Sequence, residues 1–312
     1  MSYLNLSDIL NRPSLKLRQL TGQGGKIVKA EIHLPGLFIA GADVKLPEET
    51  VFVLSKIECQ FLNSLHGGRL KGIIEGLSHF RPPCVIVTDG CLPSSEILKL
   101  AGEVGLVLCA TDLEFNRFFL LFQDFLKFRL ADRKKVHGTL VDVSGVGILL
   151  KGKSGIGKSE CALDLIRKGH RLVGDDFIEL IAYPEGRITG RSGAPTEETR
   201  FFMEIRGIGL IDVVGMYGIS AVEEAKFVDV VVELKRFEER DSFDRLGFVF
   251  EKTEILGVEL PFVKFPVIPG KNISTIVEAL ALKYISHRMG RRPERLIEEV
   301  FKLRMRDDKE TT

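Results

Sequence analysis

Residues 152–159 read Gly-Lys-Ser-Gly-Ile-Gly-Lys-Ser, the pattern G-x-x-x-x-G-K-[ST], between the apolar run Val146 to Leu150 and a stretch with helical spacing. Few folds accommodate that combination. A strand must deliver the loop and a helix must receive it. Gly152, Gly155 and Gly157 let the backbone curl, with Lys153, Ser154 and Ile156 between them, so that successive N–H groups point into one concavity. The helix N-terminus adds partial positive charge, and phosphate oxygens are what such a concavity suits. Lys158 is placed to reach the β- and γ-phosphates of a nucleotide, and the Ser159 hydroxyl to hold Mg²⁺. The following helix carries an apolar stripe, Cys161, Ala162, Leu165 and Ile166, and Gly169 closes it.

The surroundings of the loop add chemistry. Thr139 to Val143 and Val146 to Leu150 read as two strands joined at Ser144-Gly145, a hairpin turn signal. The loop is thus expected to follow an antiparallel pair, unlike a doubly wound nucleotide fold, which reaches it from a parallel sheet. One strand further on, Asp175 and Asp176 follow Gly174 and precede the apolar Phe177, Ile178, Leu180 and Ile181. In a strand the two side chains point to opposite faces, so one of them faces a reacting phosphoryl group. Phosphoryl transfer needs positioning, charge neutralisation and a carboxylate that accepts the acceptor's hydroxyl proton, and Asp175 is the candidate base. The alternative is an acid pair capping a turn after Gly174. His137, just before the hairpin, is either a satisfied loop histidine or the hydrogen-bond partner of one carboxylate, tuning its proton affinity.

A chain of 312 residues suggests two domains, read as 1–131 and 132–312. The boundary falls in the charged stretch Arg129 to Gly138, after an amphipathic helix around Asn116 to Phe128. In the first part, Val51 to Leu65 reads as a strand passing into a helix, Cys84 to Gly90 as a buried strand with a turn, Ser94 to Glu103 as a helix and Leu106 to Ala110 as a strand. That alternation predicts an α/β domain, and its scattered His33, His66 and His79 read as structural or surface residues. After residue 272 a helical pattern is expected to the end, with Arg288, Arg291, Arg292 and Arg295 near a corner at Gly290 and Pro293, read as a solvated face or subunit contact.

Composition narrows the setting. Lys+Arg 44 against Asp+Glu 43 gives a net charge of +1, so no global field draws the chain to nucleic acid or to an anionic membrane. Cys59, Cys84, Cys91, Cys109 and Cys161 are odd in number and never spaced as CxxC, which argues against a disulfide framework and a zinc site and for a reducing cytoplasm. No cationic start with an apolar run opens the chain, and no stretch approaches 18 apolar residues, so no membrane span is expected.

Val136 to Leu180, read whole, closely resembles the HPr kinase/phosphorylase family, bacterial enzymes acting on the phosphocarrier HPr of the sugar phosphotransferase system. Met203 to Asp212 looks like the family's second signature, and Asp244 to Gly247 and Pro266 to Asn272 resemble two later motifs in the same order. Leu34 to Gly41 and Arg81 to Gly90 extend the likeness into the first domain. The resemblance implies a C-terminal P-loop kinase domain related to phosphoenolpyruvate carboxykinase, behind an N-terminal α/β domain, in a homohexamer. It implies transfer of a phosphoryl group from ATP or pyrophosphate to a serine of HPr, with Mg²⁺, and removal of that group by inorganic phosphate with release of pyrophosphate. The family's catalytic histidine, lysine, aspartate and late arginine match His137, Lys158, Asp175 and Arg245, and its metal-binding positions match Ser159 and Glu204. Asp176, Arg206 and Gly207 complete the matched motifs.

Two departures stand out. The late motif, usually PVRPGR, reads Pro266-Val267-Ile268-Pro269-Gly270-Lys271 here, replacing one arginine by an apolar side chain and the other by a lysine that lacks a guanidinium fork. That region is associated with dephosphorylation, so this half of the activity is expected to be the weaker. Asp89 stands where the family commonly has arginine. Two other functions fit the phosphate loop: a kinase with another protein or a small hydroxyl compound as acceptor, and a nucleotide-sensing module without transfer. A sensor needs no general base, so Lys158, Asp175, Glu204 and Arg245 together favour an enzyme.

Overall fold

The structure, a computed structural model, describes residues 3–183, 185–237, 250–268 and 270–291. The chain separates into two compact units, Met1–Ala131 and Asp132–Thr312.

The first unit is built on a five-stranded sheet. Its strands are β1 (Leu17–Gln19), β2 (Ile32–His33), β3 (Val51–Leu54), β4 (Val85–Val87) and β5 (Leu108–Thr111), and its main helices are α1 (Lys56–Asn63), α2 (Gly67–His79), α3 (Ser95–Glu103) and α4 (Phe115–Leu130). The spatial order is β1-β5-β4-β3-β2, with β2 to β5 parallel and β1 antiparallel to β5. Both faces are covered, which is why β3 and β4 are apolar at every position. Val51 and Val53 join Phe118, Phe122 and Leu126 in one core, whereas Phe52 and Leu54 join Leu62 and Ile74 in another.

Asp89 has a clear place in this unit. Its Oδ2 accepts from Lys56 N at 3.3 Å and Thr88 Oγ1 at 2.7 Å, and its Oδ1 accepts from Phe115 N at 3.2 Å. One carboxylate thus satisfies N–H groups at the starts of α1 and α4, where a negative charge is favourable. An arginine there would meet two positive helix ends.

The second unit opens with β6 (Asp132–His137), β7 (Thr139–Val143) and β8 (Val146–Gly152), followed by α5 (Lys158–Arg167). Then come β9 (Arg171–Gly174), β10 (Phe177–Tyr183), β11 (Arg187–Ser192), β12 (Phe202–Ile205), β13 (Gly209–Asp212), β14 (Ala225–Phe227), β15 (Val230–Arg236), β16 (Glu251–Ile255), β17 (Val258–Val267) and α6 (Ile273–Arg288). Asp132 to His137 is a strand, although its charged sequence reads as a connector. It has no apolar alternation because its residues are mostly exposed. The Ser144-Gly145 turn is as expected, with φ of 52° and 88° at its two positions.

The main sheet has the order β9-β7-β8-β15-β17-β16. The antiparallel approach to the phosphate loop is present but one-sided: β8 runs antiparallel to β7 and parallel to β15, which is itself parallel to β17. Single-strand patterns do not show this mixture, because β15 lies about eighty residues downstream. One face of the sheet packs Ile148, Leu150, Val230 and Val232 against Cys161, Leu165 and Ile166 of α5 and Leu280 of α6. Each such buried aliphatic side chain contributes about 1.5–3 kcal/mol. The other face packs Leu140, Leu149 and Val231 against Ile178, Leu180 and Ile188 of a second sheet, ordered β14-β11-β10-β6. This sandwich fixes β6, β7 and the β9–β10 turn beside the phosphate loop.

Candidate active site

Glycine shapes the loop where no other residue fits. Gly152 has φ 145°, and a Cβ there would sit 2.6 Å from Leu234 O. Gly155 has φ 73°, and a Cβ there would overlap the Arg206 guanidinium. Gly157 caps α5, so the helix begins at Lys158 and aims its unpaired N–H groups at the loop. Lys158 is 6% exposed and folds back over the loop, its Nζ donating to Gly152 O at 3.1 Å and Lys153 O at 3.3 Å. Burial lowers its proton affinity, while Asp175 and Asp176 act in the opposite sense.

Asp175 and Asp176 lie in the turn between β9 and β10, not in a strand, so the opposite-faces argument does not apply to them. Asp176 has φ 65°, a left-handed conformation that Asp tolerates better than most residues. The turn is braced by Gly138 N to Asp176 O at 3.0 Å and Phe177 N to Asp175 O at 2.8 Å. Thr139 Oγ1 donates to Asp175 Oδ1 at 2.5 Å, and the Ser159 hydroxyl lies beside the same carboxylate. Burial raises the proton affinity of Asp175 above its ordinary value. The hydroxyls of Thr139 and Ser159 and the Asp176 N–H resist that rise, and the Asp176 charge adds to it. His137, the last residue of β6, places Nδ1 3.0 Å from Asp176 Oδ1 and pairs across the strands with Phe177. Its ring stands edge-on to Phe177, centroids 5.8 Å apart.

A cleft of about 130 Å³ gathers His137, Lys158, Ser159, Asp175, Asp176, Glu204 and Arg206 around Ser154, Gly155 and Gly157. Glu204 and Arg206 come from the β12–β13 hairpin, where Ile205 pairs with Gly209 around a three-residue tip and Gly207 has φ 81°. Ile268, Gly270 and Lys271 do not line this cleft. Pro266 pairs with Lys235 in the β15–β17 ladder, and Lys271 N donates to Ile268 O at 3.1 Å in the turn before α6. Asn272 caps that helix, its side chain accepting from Thr275 N at 3.3 Å. Arg245, the Asp244 to Gly247 motif, Pro269, Arg292, Pro293 and Arg295 lie outside the described residues. Thr139 and Glu160, both at the site, escape a reading of the sequence: Thr139 reads as an ordinary strand residue and Glu160 as an ordinary helix acid.

The profile of the HPr Serine kinase C-terminal domain matches residues 128–300, and that of the HPr Serine kinase N terminus matches residues 4–126. The HPr kinase/phosphorylase of Chloroherpeton thalassium is 41% identical over 288 residues, covering 92% of this chain and 84% of the relative. That of Leptospira biflexa serovar Patoc is 37% identical over 282 residues, covering 89% and 87%. Among solved structures, the Hpr(Ser) kinase/phosphatase from Coxiella burnetii is 31% identical with a TM-score of 0.46, covering 50% of this chain and 93% of the other.

Proposed function

This chain belongs to the HPr serine kinase family, and on that premise we propose that it transfers a phosphoryl group from ATP to a serine of the phosphocarrier HPr and removes it again by phosphorolysis. The observation that carries the reading is Asp175: a carboxylate of lifted proton affinity, bonded to Thr139 and beside Ser159, on the wall of the phosphate-loop cleft. A nucleotide sensor has no use for such a group.

In the forward direction the phosphates of ATP lie in the concavity of Gly152 to Ser159, and Lys158 Nζ exchanges its carbonyl partners for phosphate oxygens. The serine Oγ attacks the γ-phosphorus, Asp175 takes the hydroxyl proton, and the bond to the β-phosphate oxygen breaks to release ADP. In reverse, inorganic phosphate attacks the phosphoserine phosphorus, and the serine oxygen leaves with the proton that Asp175 returns, giving pyrophosphate. One group serving both directions works best with a pKa lifted toward neutrality, the direction in which burial moves Asp175. His137 acts at one remove by holding Asp176, whose charge raises the proton affinity of Asp175.

Mg²⁺ requires oxygen donors, and the Ser159 hydroxyl and Glu204 carboxylate on the cleft wall fit that demand. A Mg²⁺ ion held by these two groups would supply neutralisation of phosphoryl charge. Arg206, packed against Gly155, is a second positive group beside the loop, and Arg245 has the family position of a third. Pyrophosphate as alternative donor, a homohexamer and a cytoplasmic setting complete the proposal. Among the described residues no helix is long and apolar enough to cross a membrane. The test is incubation with labelled ATP and HPr, with and without its acceptor serine: the reading requires label on the serine form alone.

A further inference from the structure

Cys59 and Cys91 are 32 residues apart in sequence, yet their sulfur atoms lie 2.7 Å apart in the first unit. Cys59 is 1% exposed on α1, and Cys91 is half-buried in the loop that follows β4. Asn63 holds that loop against the helix. Its Nδ2 donates to Leu92 O at 3.0 Å, its Oδ1 accepts from Ser94 N at 2.8 Å, and Nδ2 also approaches Cys59 Sγ at 3.9 Å. From the other side, Asp89 fixes the turn before Cys91 to the start of α1. Two thiols are therefore held in contact by hydrogen bonds on both sides, one of them on a residue that is only half-buried.

We propose that Cys59 and Cys91 form a site of reversible oxidative modification, joined as a disulfide by a small peroxide. The accessible Cys91 reacts first: its thiolate attacks one peroxide oxygen, the O–O bond breaks, and the departing hydroxide takes a proton to become water, leaving Cys91 as a sulfenic acid. Cys59 sulfur then attacks Cys91 sulfur, the S–O bond breaks, and the hydroxide leaves as water with the Cys59 proton. Two thiols lose two electrons and two protons, and hydrogen peroxide is reduced to two waters. Burial and the neighbouring sulfur raise the proton affinity of Cys59, so it is the poorer first nucleophile, and its contact with Cys91 Sγ is what places it for the second step. A thiol reductant reverses the reaction by exchange. The site lies outside the phosphate-loop cleft and stands apart from the proposed kinase activity.

The other cysteines provide an internal control. Cys84 and Cys109 are fully buried, and Cys161 is buried with its thiol pushed up to about 12, so none offers an oxidant a thiolate at the surface. The test is intact mass and peptide mapping of the full chain after treatment with limiting hydrogen peroxide, followed by denaturation and alkylation. Loss of two hydrogens, three alkylated cysteines instead of five, and a peptide linking 59 to 91 are expected, all reversed by dithiothreitol. Cys91→Ser should abolish the link, and Asn63→Ala, which frees the loop while keeping both thiols, should slow it severalfold. Five alkylated cysteines, Cys91 oxidised to sulfinic acid without a link, or a link between 84 and 109 would each overturn the proposal.

Discussion

Thr139 gives its hydroxyl hydrogen to Asp175 Oδ1 across 2.5 Å, from the first residue of β7 to a turn 36 residues on. The bond favours the carboxylate form and so moderates the rise that burial imposes on Asp175. Proton acceptance requires the ionised form, so kinase activity should fall as pH drops through the lifted pKa. In Thr139→Val the pKa rises further, and the acid limb of the kcat/KM profile should move to higher pH. A profile that stays in place or moves to lower pH would show that Asp175 is not the titrating group.

The same burial makes Asp175 a cost to the fold. A carboxyl whose pKa is raised on folding contributes stability below its unfolded pKa, and loses that contribution as pH rises through the folded value. Asp175→Asn, neutral throughout, should lose roughly 10²-fold or more in transfer while gaining stability over the wild type as pH goes from about 4 to about 8. Denaturant unfolding at both pH values checks the stability half, and nucleotide binding near wild type shows that the loop is intact. If Asp176→Asn is the more damaging to transfer, the two carboxylates have been assigned the wrong way round.

Lys158→Ala should remove both phosphoryl transfer and tight nucleotide binding, because the loop loses the buried cation proposed to reach the phosphates. Calorimetric titration with ATP and a transfer assay measure the two losses separately. Transfer near the wild-type rate would remove Lys158 from the mechanism.

Much of this site can be read from the order of residues, and the exceptions have physical causes. The loop is recognisable because its glycines occupy positions where the backbone takes positive φ, as at Gly152, Gly155 and Gly157. The apolar stripe of α5 repeats every three to four residues, and Cys161, Ala162, Leu165 and Ile166 are all buried. The acid pair is visible as two carboxylates beside apolar runs, but its turn is not, since Asp fits a strand end and a left-handed turn alike. His137 against Asp176, Thr139 against Asp175 and Arg206 against Gly155 are contacts between distant segments: the first two follow from the pairing of His137 with Phe177 and of Leu140 with Gly174, and the third from the β12–β13 hairpin. Asp89, which has no evident reason as a sequence position, gains one only when α1 and α4 are brought to the same carboxylate.

Gly155→Ala should weaken nucleotide binding by roughly tenfold or more, since a side chain in left-handed backbone costs about 1–2 kcal/mol and this one also displaces Arg206. Arg206→Ala in the same background separates the two causes: if the clash dominates, the double variant binds better than Gly155→Ala alone. Wild-type affinity in Gly155→Ala would mean that the loop conformation is not required.

Phosphorolysis should be slower than phosphorylation in this chain. It brings inorganic phosphate beside phosphoserine, two anions whose repulsion needs cationic donors; the family's late motif supplies two arginine forks, where this chain has Ile268 without a donor and Lys271 with a point charge, in the turn before α6 rather than on the cleft wall. Ile268→Arg with Lys271→Arg should therefore raise phosphate-dependent dephosphorylation of seryl-phosphorylated HPr more than it changes the kinase rate. Unchanged reverse turnover in the double variant, or a wild type as fast in reverse as forward at saturating phosphate, would contradict this.

The central proposal is that Asp175 drives phosphoryl transfer to a serine of HPr. The direct measurement is single-turnover transfer from γ-labelled ATP, comparing wild type with Asp175→Asn on HPr, and on HPr whose acceptor serine is alanine. The predicted result is label on the serine form only, slowed by roughly 10²-fold or more in Asp175→Asn at equal bound ATP. Label on the alanine form, or wild-type rates from Asp175→Asn, would contradict it.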